Sequence, residues 1–105
     1  EPMWPSVSYD HPTFDPKGYW RGRTWLNIAY FALRGLKDYG YDEIADRGRK
    51  AILDMVASDP SSNAESYDPL LRRARGCPRF SWSSTFVMDL VLDWNTPAAE
   101  LVPQP

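Results

Sequence analysis

With 105 residues, 25% of them charged and a formal net charge of −2, the chain has the length of one domain and no overall electrostatic pull toward nucleic acid or an anionic membrane. Its one cysteine, Cys77, excludes an internal disulfide and fits a reducing, cytoplasmic setting, with a secreted protein carrying one thiol as the alternative. No apolar run approaches the roughly eighteen residues needed to span a bilayer, and Glu1-Pro2-Met3-Trp4 lacks the basic and apolar regions of a signal peptide. A first residue other than Met predicts a chain trimmed, processed or excised from something longer.

In chain order, residues 1–18 hold Pro2, Pro5, Pro12 and Pro16 among Trp4, Tyr9 and Phe14, a composition that blocks helix and predicts an extended strap anchored by its rings. The first predicted helix runs from about Thr24 to Tyr39. Trp25, Ile28, Ala29, Ala32, Leu33 and Leu36 follow helical spacing, Thr24 offers a cap, and Gly40 stands where a left-handed stop is wanted. Tyr30 and Phe31 widen the apolar stripe, so more than one side of this helix is expected to meet protein.

Asp42 is the expected N-cap of a second helix over Glu43 to Ala57, with Ile44, Ala45, Ala51, Ile52, Met55 and Val56 on one side and the pairs Glu43/Arg47 and Asp46/Lys50 on the other. The short Tyr39-Gly40-Tyr41 link predicts an antiparallel helical hairpin, packed through Ile28, Ala32 and Leu36 against Ile44, Ile52 and Met55. Asp59 to Asn63 stops the second helix, Ala64 to Arg79 reads as irregular loop, and a third helix is expected from Ser83 to Trp94. A flexible Pro-containing tail follows over 95–105. The predicted class is all-α, a single segment incomplete by itself. Its wide apolar faces call for either the remainder of a larger domain or self-association.

Two stretches carry chemistry. Gly18-Tyr19-Trp20-Arg21-Gly22-Arg23-Thr24-Trp25 leads into the first helix, and Glu65-Ser66-Tyr67-Asp68-Pro69 follows about forty residues later. Aromatic faces pack on the apolar faces of sugar rings, an arginine fork holds carboxylates or hydroxyls, and a carboxylate activates water. Glycoside hydrolysis normally takes two carboxylates, and only Glu65 has a suitable setting. Asp68 reads as a turn-former before Pro69 rather than an acid. Each has a plainer reading: Tyr19 and Trp20 as loop-anchoring core rings, Glu65 as a surface glutamate. His11 has no second ligand at metal spacing, Cys77 has no histidine beside it in sequence, and the Arg72, Arg73, Arg75 and Arg79 cluster reads as a solvated basic loop. No metal and no cofactor are expected.

Taken together, Tyr19-Trp20-Arg21-Gly22, Trp25, Ala29-Tyr30-Phe31-Ala32-Leu33-Arg34-Gly35-Leu36, Tyr39-Gly40-Tyr41, Glu65 with Tyr67-Asp68-Pro69, and Phe80-Ser81-Trp82-Ser83 resemble the last part of the catalytic domain of glycoside hydrolase family 63 and its relatives. These include processing alpha-glucosidases and hydrolases of mannosylglycerate and glucosylglycerate. The resemblance covers roughly Pro12 to Trp94. It implies part of an (α/α)6 toroid and an inverting mechanism, with Glu65 as general base. Tyr19, Trp20, Arg21, Gly22, Trp25, Tyr67 and Trp82 are implied on the sugar-binding side. The family's acidic partner, an aspartate, has no match in this sequence. Ser66 stands where relatives carry a second aromatic, and Leu71-Arg72-Arg73-Ala74-Arg75-Gly76 replaces an acidic Thr-Gly-Glu-Gly-like turn.

The resemblance therefore implies a segment of a glycosidase acting on a glycoside or glycosylglycerate, inactive in isolation; the charge balance and the lack of a long apolar run leave neither nucleic acid nor membrane as an expected partner. The alternative is a non-catalytic helical module that binds carbohydrate or serves in assembly. A bare structural remnant that self-associates is a third reading.

Overall fold

The computed structural model describes residues 3–59 and 63–96. Three helices, α1 (Leu26–Asp38), α2 (Asp42–Ser58) and α3 (Ser81–Leu92), dominate it, and a two-stranded antiparallel hairpin, β1 (Ser66–Asp68) and β2 (Arg73–Arg75), lies between α2 and α3. The protein is mostly helical rather than all-α. The hairpin stands inside the stretch expected to be irregular. Its turn is set by Asp68, whose Oδ1 accepts the backbone N–H groups of Leu70 and Leu71 while its carbonyl accepts that of Arg72. This is the local bonding for which Asp is favoured in turns.

Thr24 does not cap α1. Trp25 takes that position without a side-chain cap bond, while Thr24 pairs through its backbone with Tyr67 (2.8 and 2.9 Å) and donates its hydroxyl to the Met3 carbonyl. This bridge carries the edge of β1 to the start of α1 and decides where Glu65 stands. At the other end of α1, Gly40 adopts φ +87°, the Gly40 N–H reaches the Lys37 carbonyl and the Tyr41 N–H reaches that of Leu36. Those two bonds form a Schellman stop. The chain then reverses directly into α2, with Asp42 as the first helical residue rather than the cap.

The hairpin of α1 and α2 is present, with Ile52 and Met55 of α2 buried in it as expected, but α1 turns a different face to it. Leu26, Ala29 and Leu33 of α1 pack with Ala45, Ile52 and Met55 of α2, Leu90 of α3, Met3 and Tyr67. Ile28, Ala32 and Ile44 face outward, and Leu36 is partly buried. Gly48 explains the choice: a Cβ built there would lie 2.3 Å from Leu33 Cδ2 and 2.8 Å from Trp4 Nε1. Two helices meet where one has no side chain.

Trp94 lies just beyond α3, which begins and ends two residues earlier than expected. Its indole N–H donates to Asp46 Oδ1 at 2.7 Å, and Lys37, Arg34 and Arg49 stand 5.1, 5.9 and 6.0 Å from its ring. Asp46 is thus held by Trp94 and by Lys37 (3.5 Å), and Lys50 pairs with Asp54 (2.6 Å). Neither expected ion pair, Glu43 with Arg47 or Asp46 with Lys50, forms among the described residues.

Residues 3–18 are free of helix, as the strap composition predicts. Ser6 donates its N–H to the Arg23 carbonyl, and Tyr9 meets Phe14 edge-on at 5.2 Å. Gly22 locks this strap in place, since a Cβ there would fall 2.1 Å from the Asp15 carbonyl oxygen. The predicted tail beyond Thr96 lies outside the described residues. Phe31 (63% exposed), Met88, Val91 and Leu92 leave apolar surface open on α1 and α3. No helix among the described residues is long and apolar enough to cross a membrane.

Candidate active site

Glu65 directly precedes β1, with its N–H on the Cys77 carbonyl at 2.8 Å. Its carboxylate accepts a 2.7 Å hydrogen bond from the hydroxyl of Tyr19. The fold thus brings together two residues 46 positions apart that the sequence marked separately. Gly76, at φ +74°, leaves room for this carboxylate, because a Cβ there would stand 3.3 Å from Glu65 Oε2. The bond to Glu65 is the main cause that raises the Tyr19 phenol above its ordinary range; partial desolvation and the carboxylate's charge add to it, and the positive charge of Arg23 opposes it.

Around this pair stands an aromatic cluster. Trp20 stacks on Trp25 with ring centres 4.2 Å apart, and Tyr19 meets both edge-on at 5.0 and 4.6 Å. Trp82, at the start of α3, lies 6.3 Å from Trp25. Trp20 is 55% exposed and Tyr19 46%, so both offer surface to a ligand.

Trp25, implied on the sugar-binding side, does not reach the surface. It is 1% exposed and donates its indole N–H to the Tyr19 carbonyl at 2.8 Å, so it is the floor on which Trp20 and Tyr19 rest. Tyr67 is also buried, its hydroxyl accepting the Ala64 N–H and its backbone tied to Thr24. Gly22 is packed against Asp15. Of the residues expected on the sugar side, Tyr19, Trp20, Arg21 and Trp82 are exposed, whereas Gly22, Trp25 and Tyr67 support them from below.

The exposed guanidinium of Arg21 makes no hydrogen bond or ion pair among the described residues. Arg23 is the residue that sequence reasoning passed over. Its Nη1 donates to Ser66 Oγ (3.3 Å), its Nε to the Lys17 carbonyl (3.1 Å), and its guanidinium sits 5.4 Å over the Tyr19 ring. Nothing in the local sequence separates it from the neighbouring Arg21, since the difference comes from where Ser66 arrives.

Asp68 is buried, bonded to its turn and 3.5 Å from Arg75, which leaves it no access to a sugar. Of the arginine cluster, Arg72, Arg73 and Arg79 are exposed, and Arg72 helps line a hollow of about 130 Å³ with Arg47, Lys50, Ala51 and Asp54. That hollow shares no residue with the aromatic cluster. Cys77 is an exposed thiol, and among the described residues no group of three His, Cys, Asp or Glu side chains is placed to hold a metal ion.

Comparison with known proteins puts the chain among the glycoside hydrolases. Residues 1–83 match the mannosylglycerate hydrolase MGH1-like glycoside hydrolase domain. Mannosylglycerate hydrolase of Rubrobacter radiotolerans is 37% identical over 91 residues, covering 85% of this chain and 20% of that protein. Mannosylglycerate hydrolase of Thermus thermophilus is 36% identical over 84 residues, covering 80% and 20%. The crystal structure of a family 63 mannosylglycerate hydrolase from Thermus thermophilus, in complex with Tris and D-glycerate, superposes with a TM-score of 0.75 at 35% identity, over 82% of this chain and 20% of that one. The crystal structure with glucose gives 0.73 at 34%, over 86% and 22%. The chain therefore belongs to the mannosylglycerate hydrolase MGH1-like branch of glycoside hydrolase family 63. It spans about a fifth of the length of these relatives.

Proposed function

We propose that this chain supplies the general base and the sugar-stacking wall of an inverting glycoside hydrolase acting on mannosylglycerate or glucosylglycerate. It would do so as part of an (α/α)6 toroid whose other helices bring the general acid. The observation that carries the proposal is the Glu65–Tyr19 hydrogen bond at 2.7 Å beside the exposed ring of Trp20. A carboxylate held by one donor keeps further lone pairs for a water, and the ring beside it gives a pyranose an apolar seat.

In this reading Glu65 takes a proton from the attacking water while the acid, on the opposite side of the glycosidic bond, protonates the leaving oxygen. The two carboxyl groups of an inverting enzyme stand roughly 6.5–9.5 Å apart. Asp68, buried and engaged, cannot serve as that second group. Arg21, exposed and without an ion pair among the described residues, suits the carboxylate of a glycerate aglycone, which favours a glycosylglycerate over a neutral alpha-glucoside.

The test is turnover of mannosylglycerate and glucosylglycerate by the chain alone and by the full-length enzyme, with and without Glu65→Gln. The chain alone is expected to be inactive, and the full-length enzyme should lose turnover on Glu65→Gln because an amide cannot accept the water's proton. Robust turnover by the isolated chain, or full activity of the variant, overturns the assignment. A second reading, a non-catalytic carbohydrate-binding or assembly module, draws on the lack of an aspartate in this sequence that matches the family's acid and on the burial of Asp68. Glycoside binding in a full-length protein that never turns over would favour it.

A further inference from the structure

We infer that Arg23 is a positioning residue for the proposed base: it fixes the Tyr19–Glu65 hydrogen bond by gripping both sides of it at once. The inference rests on the reading of Glu65 as the base but concerns a residue that this reading leaves unused.

Tyr19 and Glu65 belong to segments with no covalent reason to keep register. Tyr19 sits in a loop, and its hydroxyl must meet Glu65 Oε2 within a few tenths of an ångström for the 2.7 Å bond to form. Its carbonyl is held by the Trp25 indole and its ring meets Trp20 and Trp25 edge-on, contacts that tie it to its own loop but not to the segment of Glu65. Arg23 supplies that second tie. Its guanidinium lies over the ring at 5.4 Å while Nε is anchored on the Lys17 carbonyl, so the cation cannot drift from the ring face.

The other prong reaches Ser66 Oγ at 3.3 Å, and Ser66 is fully buried and immediately follows Glu65. One rigid, planar fork therefore ties the loop of Tyr19 to the strand that Glu65 directly precedes. A lysine, with a single charged point on a flexible stem, cannot make the three contacts together. The cation on the ring also draws electron density from the phenol and makes its O–H a stronger donor to the carboxylate. The opposing influence of Arg23 on the Tyr19 phenol agrees with that direction.

The test is a coupling measurement on the chain labelled with ¹³Cζ-tyrosine, needing no turnover. The Tyr19 resonance, assigned by its loss in Tyr19→Phe, is followed at pH 8 as Glu65 is replaced by alanine in the wild-type and in the Arg23→Met background. A clear shift is expected in the first and its loss in the second, because without Arg23 the hydroxyl no longer rests on Glu65. A shift of equal size in both backgrounds overturns the inference. Arg23→Lys separates the fork from the charge: it too should lose the coupling, and full coupling with lysine also overturns the proposal. Should Arg23→Met lose its helical circular dichroism, Ser66→Ala replaces it, with loss of coupling expected and an undiminished shift counting against. A packing residue would lower stability without touching the coupling. Failure of the base assignment appears instead as turnover surviving Glu65→Gln, so the two failures are distinct.

Discussion

Trp20 and Trp25 stack on one another yet should respond to substitution in opposite ways. Trp25 is 1% exposed, and replacing it by phenylalanine deletes the indole N–H that satisfies the Tyr19 carbonyl at 2.8 Å and leaves space beneath Trp20. An unpartnered carbonyl costs about 1–3 kcal/mol and the lost packing adds to it, for a total of about 2–4 kcal/mol. Against a total of about 5–15 kcal/mol for a domain of this size, that is a large fraction. In urea, with a slope of about 1–3 kcal/mol per M, the midpoint followed by circular dichroism should fall by roughly 1–2 M. Trp20, more than half exposed, gives up chiefly its ring stacking on alanine substitution, about 1 kcal/mol. In the full-length enzyme the same Trp20→Ala change should weaken substrate binding by on the order of 1–3 kcal/mol. If Trp20→Ala lowers the urea midpoint as much as Trp25→Phe and leaves binding unchanged, the division into supporting and ligand-facing rings is wrong.

Gly48→Ala should destabilise the chain by about 1–3 kcal/mol in thermal or urea unfolding, although alanine is the better helix former, because the new methyl meets the fully buried Leu33. Gly40→Ala should cost about 1 kcal/mol by the same assays, since φ +87° disfavours a side chain at the Schellman stop. Burial, helped by the hydrogen bond to Asp89, pushes the Tyr30 hydroxyl up to about 12, so the folded state holds its proton more tightly than the unfolded state does. That contribution is fully present below about pH 10 and is lost as pH rises toward 12; alkaline unfolding curves should show it and Tyr30→Phe should flatten it. The bond from the Trp94 indole, with Lys37 nearby, lowers the Asp46 carboxyl. Its stabilising effect is therefore present above the ordinary aspartate range and fades as pH falls through and below it, a dependence that Trp94→Phe should reduce in acid titration.

The helices, the Gly40 stop and the residue types of the site were legible in the sequence because each depends on near neighbours. Helical spacing of apolar residues, a glycine with positive φ and a Tyr-Trp-Arg-Gly run need no knowledge of the rest of the chain. Which face of α1 is buried was not legible, since Ile28, Phe31 and Ala32 are as apolar as Leu26, Ala29 and Leu33. The contact of Gly48 with Leu33 made that choice. Asp46 and Thr24 likewise looked like local partners and caps, but distant groups claimed them: Trp94 for the first, Met3 and Tyr67 for the second. The site divides the same way. Glu65 and Trp20 were readable in the sequence as candidates. The Thr24–Tyr67 bridge, which no sequence period encodes, set Glu65 against Tyr19, buried Trp25 beneath them and brought Ser66 to Arg23. Local propensity is a property of a few adjacent residues, whereas a hydrogen bond between positions 46 apart exists only once the chain has packed.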